Sequence, residues 1–176
     1  MNTKVLVLAA LLLCAAGAGS AFAAAATAPK PESRVSVIFV EPQKFTDVKQ
    51  SSWGDNSPEL LDQIQRFMCE TGENYVSAGL RLEIKVTDIS LAGKFEPWRG
   101  PQFDDIRIVR SIYPPCFKLD FSLTDEKGNV VKEGTREISD LAFQLRTAWP
   151  LSDHLRYEKD MMRDWFRQEF GRARKS

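Results

Sequence analysis

The stretch LRLEIKVT, residues 80–87, decides the fold class of this chain, because apolar and polar or charged residues alternate along it without a break. A period of two places every apolar side chain on one face of an extended strand. The stretch therefore predicts a half-buried β-strand, and its pattern extends toward Leu91. A strand with a single apolar face needs a covering layer, so the segments around it should supply further strands and helices.

The segments that follow residues 80–87 predict more strands. Ile106 and Ile108 return to an extended pattern, and residues 117–123 alternate apolar with polar or charged side chains. A glycine-containing loop at residues 125–129 then predicts a hairpin to a strand at residues 130–138. The middle of the chain is thus a run of strands.

The segments that precede residues 80–87 predict one strand and one helix. Residues 34–40 alternate as a strand, and the polar, irregular residues 44–57 predict a surface loop. Pro58 opens a helix for which Ser57 is the expected N-cap, and Gly79 fits its C-cap. Apolar residues at helical spacing should turn one side of this helix toward the sheet.

A closing helix completes the domain. We expect Ser152 or Asp153 to cap its start and Gly171 to end it. The order of strand, helix, run of strands and helix predicts a single α+β domain over residues 34–171. Its sheet should be mostly antiparallel, with about four or five strands and both helices packed on one face.

The N-terminus has the three parts of a secretory signal peptide: Lys4, an apolar run over residues 5–19, and a small-x-small site at Ala21-Phe22-Ala23. The apolar run is shorter than the roughly 20 residues that span a membrane, which favours a cleaved signal over an anchor. We expect cleavage after Ala23, a flexible lead-in at residues 24–33 and a periplasmic or secreted protein without a membrane anchor. Residues 172–176 form a short basic tail.

The charge balance excludes a nucleic-acid-binding role. The chain has 24 basic and 24 acidic residues, and removal of the signal with its single Lys4 leaves 23 against 24. A net charge near −1 gives no field that would attract nucleic acid or an anionic lipid surface. The sequence makes no prediction of oligomeric state.

Two cysteines remain after signal cleavage, Cys69 and Cys116. An oxidising compartment permits a disulfide between them. Cys69 flanks the apolar stripe of its helix, whereas Cys116 alternates with Lys118 and Asp120 on the polar side of its strand. We expect free thiols, with the disulfide as the alternative.

The sequence shows no familiar catalytic constellation. His154 is the only histidine, and it stands beside Asp153 in the first turn predicted for the closing helix. The chain has no nucleophile-elbow, glycine-rich phosphate or calcium-loop pattern, and its scattered Cys and His residues do not form a zinc set. We therefore predict no catalytic residues, no cofactor and no metal site.

Aromatic and arginine residues concentrate in loops. Phe95, Trp98 and Arg99 share one loop, and Tyr113 and Trp149 stand in two others, each before proline. These residue types on loops are typical of binding hot spots, so they form a candidate interaction surface. The alternative is that the rings fold inward and cap the core.

The closing helix contains a conflict between its apolar and charged residues. Seven apolar residues span about 220° of its surface, far wider than one core-facing stripe, and Glu158 and Glu169 fall inside that arc. A buried carboxylate needs a partner, for which Arg110 or Arg146 is the candidate. Either the helix is covered on two sides with Glu158 in a buried ion pair, or part of its apolar surface is exposed for a partner protein.

Several blocks together resemble one family of exported bacterial proteins, domain of unknown function 3016. The blocks are Arg34–Pro42 with Phe45-Thr46-Asp47, Val86–Gly93 with Glu96-Pro97-Trp98, Ile112–Pro115, and Leu155–Lys159 with Asp164-Trp165-Phe166. The resemblance implies a secreted or periplasmic protein of Gram-negative bacteria and implies no activity. The two cysteines are not part of the family pattern.

Three functions are compatible with these observations. The first is a non-enzymatic binding or envelope-interaction module with an envelope protein as its possible partner. The second is a periplasmic hydrolase or thiol redox enzyme that uses His154, Glu158 or the two thiols. The third is a structural role inside an envelope assembly. A concave pocket shared by His154 and Glu158 would favour an enzyme, and an open, flat surface would favour a module.

Overall fold

A computed structural model describes residues 33–47, 58–103, 106–146 and 150–171 of the 176-residue chain. The predicted signal peptide and basic tail lie outside the described residues. The described ranges form two helices, α1 (Pro58–Glu73) and α2 (Arg156–Phe170). They also form six strands: β1 (Val35–Phe39), β2 (Leu80–Ser90), β3 (Lys94–Phe95), β4 (Arg107–Ile108), β5 (Cys116–Asp125) and β6 (Val130–Ser139).

Four of the strands form one mixed sheet in the order β1-β2-β5-β6. β1 runs parallel to β2, and the other two pairings are antiparallel. The register places Val37, Ile84 and Phe121 side by side across three strands. The predicted α+β class, the element order and the mostly antiparallel sheet are confirmed.

Both helices cover the same face of the sheet, and the core lies between the two layers. The alternating residues of β2 and β5 point apolar side chains such as Ile84 and Leu119 toward Met68 of α1 and Phe166 of α2, and all four are buried. The opposite face carries exposed charges, including Lys85 and Lys118. The period of two at residues 80–87 thus determines which face the helices cover. Within the described residues, no helix is long and apolar enough to cross a membrane.

The segment between β2 and β5, residues 91–115, is called the excursion below. Its described part does not join the main sheet. β3 and β4 pair only with each other and form a separate two-stranded sheet. The prediction that Ile106 and Ile108 return to strand is correct for Ile108, but Ile108 pairs with Lys94 of the same segment and not with the main sheet. Gly93, at a φ of +82°, turns the chain away from β2, and its N–H donates to the Tyr113 carbonyl (3.0 Å). A side chain at Gly93 would clash with the Ile108 carbonyl, 2.7 Å from an added Cβ.

The prediction of a surface loop at residues 44–57 is wrong for its first part. Phe45 and Asp47 are both buried. The Phe45 ring packs edge-on against Phe39, with 6.2 Å between centroids. Asp47 accepts hydrogen bonds from the Leu91 N–H (2.6 Å) and the Ser90 hydroxyl (3.1 Å). A polar residue in an irregular stretch therefore serves as an internal acceptor for the end of β2.

The ends of the helices differ from the predicted ends. α1 stops at Glu73 rather than near Gly79, because Arg34 donates to the carbonyls of Glu73 (3.0 Å) and Val76 (2.7 Å) and closes the helix end. The predicted N-cap of α1, Ser57, lies outside the described residues.

α2 begins at Arg156, after a turn in which Asp153 accepts a hydrogen bond from the Leu155 N–H (2.9 Å). The expected cap therefore acts ahead of the helix rather than at its first residue. The expected end at Gly171 is confirmed, with φ at +88°.

Candidate functional site

A cavity of about 570 Å³ lies where the first turns of α1 and α2 meet the excursion after β2. This volume is within the usual range for small-molecule sites. Most of the lining is apolar and comes from Leu60, Leu91, Phe95, Ile106, Val109 and Leu155. The polar lining residues include Arg107, His154, Arg156 and Glu158.

Glu158 lies in the first turn of α2 and is only 3% exposed. Its Oε1 accepts a hydrogen bond from the Ala92 N–H (2.7 Å), while Oε2 has no hydrogen-bond partner among the described residues. Burial raises the pKa of this carboxyl, although the Ala92 N–H and the charges of Arg107 and Arg156 act in the opposite direction. The prediction that Glu158 is buried is confirmed.

The predicted ion-pair partners of Glu158 are wrong. Arg110 donates instead to Glu96 (3.2 Å), and Arg146 pairs with Asp140 (3.5 Å) and Asp164. The cationic neighbours of Glu158 are Arg107 and Arg156. The helix spacing could show that Glu158 faces inward, but the partner depends on how the excursion folds over α2.

Arg107 is a functional candidate that the sequence reasoning missed. Its Nη1 donates to the Gly93 carbonyl (2.6 Å) and lies 3.3 Å and 3.4 Å from the carbonyls of Leu91 and Ala92. Its Nη2 lies 3.3 Å from Asp47 Oδ1 in an ion pair, but without the geometry of a hydrogen bond. The only sequence signal was a charged residue between Ile106 and Ile108.

The turn at residues 91–93 is consequently held from three sides. Asp47 binds the N–H of Leu91, Glu158 binds the N–H of Ala92, and Arg107 binds the carbonyls. Charge-assisted hydrogen bonds are stronger than neutral ones. These hydrogen bonds hold the polar groups of the cavity wall in place without a ligand.

The predicted interaction surface divides into separate groups. Arg99 and Tyr113 converge on buried Glu96, with Nε to Oε2 at 2.5 Å and the hydroxyl to Oε1 at 3.0 Å. Trp98 is 72% exposed and does not belong to the buried part of this cluster.

Phe95 belongs to the cavity wall instead, with the Arg107 guanidinium 5.2 Å from its ring centroid. Trp149 lies outside the described residues. Both predicted arrangements therefore occur, since some of these side chains turn inward and Trp98 points outward.

Glu96 is a second buried carboxylate of the excursion that sequence reasoning did not single out. Burial alone would raise its pKa, but hydrogen bonds from Tyr113 and Arg110 and the charges of Arg99 and Arg110 hold the pKa below its ordinary value. Glu96 is thus an ionised anchor, whereas none of the described cationic side chains pairs directly with Glu158.

His154 and the thiols occupy different places. His154 is exposed at the cavity, next to Asp153, which pairs with Lys159 (2.6 Å). Cys69 and Cys116 are free, as expected. Cys116 shares the open face of the sheet with Lys118, whereas Cys69 packs on the helix side, so the sheet separates them. Burial raises the pKa of both thiols.

The wide apolar arc of α2 is covered. Met161, Met162, Trp165 and Phe166 are all buried, which supports the interpretation that this helix is enclosed on two sides. Glu169 stays at the edge and pairs with Arg136 (2.8 Å) and Lys132 (2.8 Å).

The chemistry available in the cavity is limited. Its described lining contains no serine, threonine or cysteine, so a nucleophilic side chain of these types is missing from it. The described part of the chain also contains no group of three or more His, Cys, Asp or Glu that could hold a metal ion. The described lining is mostly apolar, and its polar residues are one buried acid (Glu158), one exposed acid (Glu59), two arginines, His154, Gln63 and Tyr157.

Comparison with known proteins identifies a family without an assigned function. No curated protein matches the sequence significantly. The model of a family described as a protein of unknown function, DUF3016, matches residues 33–168, which is more than half of the chain. This match agrees with the resemblance seen in the sequence blocks. The chain therefore belongs to the DUF3016 family.

Proposed function

We propose that this protein is an exported, non-enzymatic binding module of the periplasm of a Gram-negative bacterium, and that its cavity holds a small ligand. The observation that carries the proposal is a preformed, mostly apolar cavity lined by a buried carboxyl group, Glu158, whose Oε2 has no hydrogen-bond partner among the described residues. The signal-like residues 1–23 support export.

The energetics of the cavity favour binding. Each 100 Å² of apolar ligand surface removed from water is worth about 2.5 kcal/mol. A buried acceptor left without a partner costs about 1–3 kcal/mol, which a ligand donor would recover. Because the turn at residues 91–93 is already fixed, little ordering of the protein would oppose binding.

The proposal is tested on protein recovered from the periplasm of a Gram-negative host. We expect the mature chain to carry a non-covalent ligand, seen as added mass in native mass spectrometry. Ile106→Trp should fill the cavity entrance and remove this mass. Ile112→Trp is the matched control, because Ile112 is exposed and lies outside the described cavity lining. Retention in the cytoplasm, or no ligand in the unaltered protein, would contradict the proposal.

An enzyme is the second candidate, and one observation favours it. His154 and Glu158 line the same cavity, which is the arrangement expected of an enzyme rather than of a flat interaction module. A carboxyl with a raised pKa suits general acid–base catalysis. Without a described nucleophile in the lining, a hydrolase here would activate water. The thiol redox alternative is less favoured, because the described lining contains neither Cys69 nor Cys116.

The two candidates differ in what happens to the ligand. We would extract it, add it back to the protein and follow its mass over hours. A binding module returns it unchanged, whereas an enzyme converts it, and conversion should disappear in His154→Ala. Glu70→Gln, on the exposed side of α1, is the control for altered charge.

An envelope protein partner is a separate part of the proposal, and exposed Trp98 supports it. Crosslinking in the periplasm should reproducibly capture one partner protein with the wild type, and the crosslinked product should be absent with Trp98→Ala. A structural role within an envelope assembly would appear in this experiment as a stoichiometric complex.

A further inference from the structure

The unpaired atoms of the cavity point to a ligand class, an inference that rests on the proposed binding function. We infer that the ligand has an apolar body and an uncharged carboxamide head, whose N–H donates to Glu158 Oε2 and whose carbonyl accepts from Arg107 Nη2.

The need for a donor follows from Glu158. Its Oε1 is occupied by the Ala92 N–H at 2.7 Å, and Oε2 is buried without a hydrogen-bond partner among the described residues. Buried polar atoms are normally hydrogen-bonded, and an exception at a cavity wall is a position for a ligand group. At pH values above the raised pKa of Glu158, where the carboxyl is ionised, the ligand therefore presents an N–H or O–H at this point.

The need for an acceptor follows from Arg107. Its Nη2 is buried and makes no hydrogen bond to the described residues, although it lies 3.3 Å from Asp47 Oδ1. Asp47 balances its charge, so this guanidinium requires an acceptor rather than a second negative charge. A carbonyl oxygen meets that requirement.

The remaining charges argue against an ionised head. Arg156 is already engaged, since its Nη1 lies 3.2 Å from the Leu151 carbonyl and its Nη2 lies 3.2 Å from the Tyr157 hydroxyl. A carboxylate head that accepts from Arg107 Nη2 would add a negative charge beside the carboxyl groups of Asp47 and Glu158, and Arg156 would have to give up its present contacts to offset that charge. An ammonium head that pairs with Glu158 would lie beside the guanidinium groups of Arg107 and Arg156, since the other acidic lining residue, Glu59, is exposed. A neutral head that both donates and accepts avoids both penalties.

Three probes with the same six-carbon length separate these possibilities: hexanamide, hexanoate and hexylamine. Each is titrated, at several pH values, into mature protein from which the ligand carried from the periplasm has been extracted, and the Ala92 amide is followed by NMR because it reports on Glu158. We expect hexanamide to bind about tenfold more tightly than either charged probe, as one hydrogen bond to a charged group provides.

Glu158→Gln should reverse the preference. Its carbonyl can keep the Ala92 hydrogen bond, and its amide then presents a donor to the cavity where the carboxylate presented an acceptor. Hexanamide should lose about tenfold in affinity relative to hexanoate. Glu70→Gln, the matched control on α1, should leave all three affinities unchanged.

The outcomes distinguish the two levels of the proposal. If hexanoate or hexylamine binds most tightly, or if the preference for hexanamide survives in Glu158→Gln, the assignment of the head is wrong while the cavity remains a binding site. If none of the probes binds although the periplasmic protein carries a ligand, only the assignment of the head is wrong. If the probes do not bind and no ligand is carried, the proposed binding function is wrong as well. Preference for hexanamide that is lost only in Glu158→Gln supports the inference.

Discussion

Replacing Glu158 with Ala should lower the free energy of unfolding by about 1–3 kcal/mol at neutral pH. The substitution removes the acceptor of the buried Ala92 N–H, and an unsatisfied buried donor costs that amount. The loss should be smaller than the roughly 3–5 kcal/mol of a broken buried ion pair, because no arginine of the described ranges is paired directly with Glu158. Removing the carboxylate also relieves its desolvation, which offsets part of the loss.

Glu158→Gln separates the hydrogen bond from the charge. Because burial raises the pKa of Glu158 above the ordinary 4.5, the folded protein retains this proton at pH values where the unfolded chain has lost it. The stability contributed by the protonated group is fully present below about pH 4.5 and is lost as pH rises through the folded pKa. Gln cannot ionise and avoids this loss. The stability of Glu158→Gln relative to wild type should therefore increase with pH and then level off.

Urea denaturation of wild type, Glu158→Ala and Glu158→Gln at several pH values between 4 and 8 measures both effects. Glu70→Ala and Glu70→Gln serve as controls on an exposed helix position and should change stability by about 0.5 kcal/mol or less. The reasoning is refuted if Glu158→Ala has the wild-type midpoint, or if the advantage of Glu158→Gln shrinks as pH rises.

Four further predictions concern other parts of the molecule. Arg107→Met should cost about 3–5 kcal/mol in urea melts, because it strands Asp47 and frees the carbonyls of the turn at residues 91–93; a loss under 1 kcal/mol would contradict this. Trp98→Ala should change stability by about 0.5 kcal/mol or less, and a large loss would show that the ring is packed. Thiol labelling of the denatured, unreduced mature protein should find Cys69 and Cys116 both free, and labelling that requires a reductant would reveal a disulfide. The intact mass of the periplasmic form should correspond to a chain that begins at Ala24, and a mass that retains residues 1–23 would refute export by signal cleavage.

The two central strands of the main sheet, β2 and β5, were predictable from the sequence because they are long and have one apolar face. β2 and β5 are 11 and 10 residues long, enough for the period of two to be unambiguous. The Asp125 carboxylate, which binds the N–H groups of Lys127 and Asn129 at 2.8 Å, also marks the hairpin clearly. β3 and β4 have two residues each, and no periodicity can be recognised over two residues.

The candidate site was predictable only in part. The helical spacing of α2 indicates that Glu158 is buried, since local geometry sets the direction of a side chain on a helix. Its partners come from the excursion, whose path depends on tertiary contacts. The burial of Asp47 was not predictable for a similar reason, because a polar residue in an irregular stretch normally lies in solvent.

The three carboxyl groups that are buried among the described residues are concentrated around one segment, and this supports the proposed binding function. Asp47, Glu96 and Glu158 all contact the chain between Ser90 and Tyr113, and all three fall in or beside the blocks that resemble the DUF3016 family. Buried charges are weak evidence for stability, since well-packed apolar residues often serve a core as well or better. The buried carboxylates are better explained as groups that hold the excursion in one position. A rigid excursion favours ligand binding, because one carboxylate oxygen and one guanidinium nitrogen on a mobile loop would first have to be ordered before they could bind the ligand.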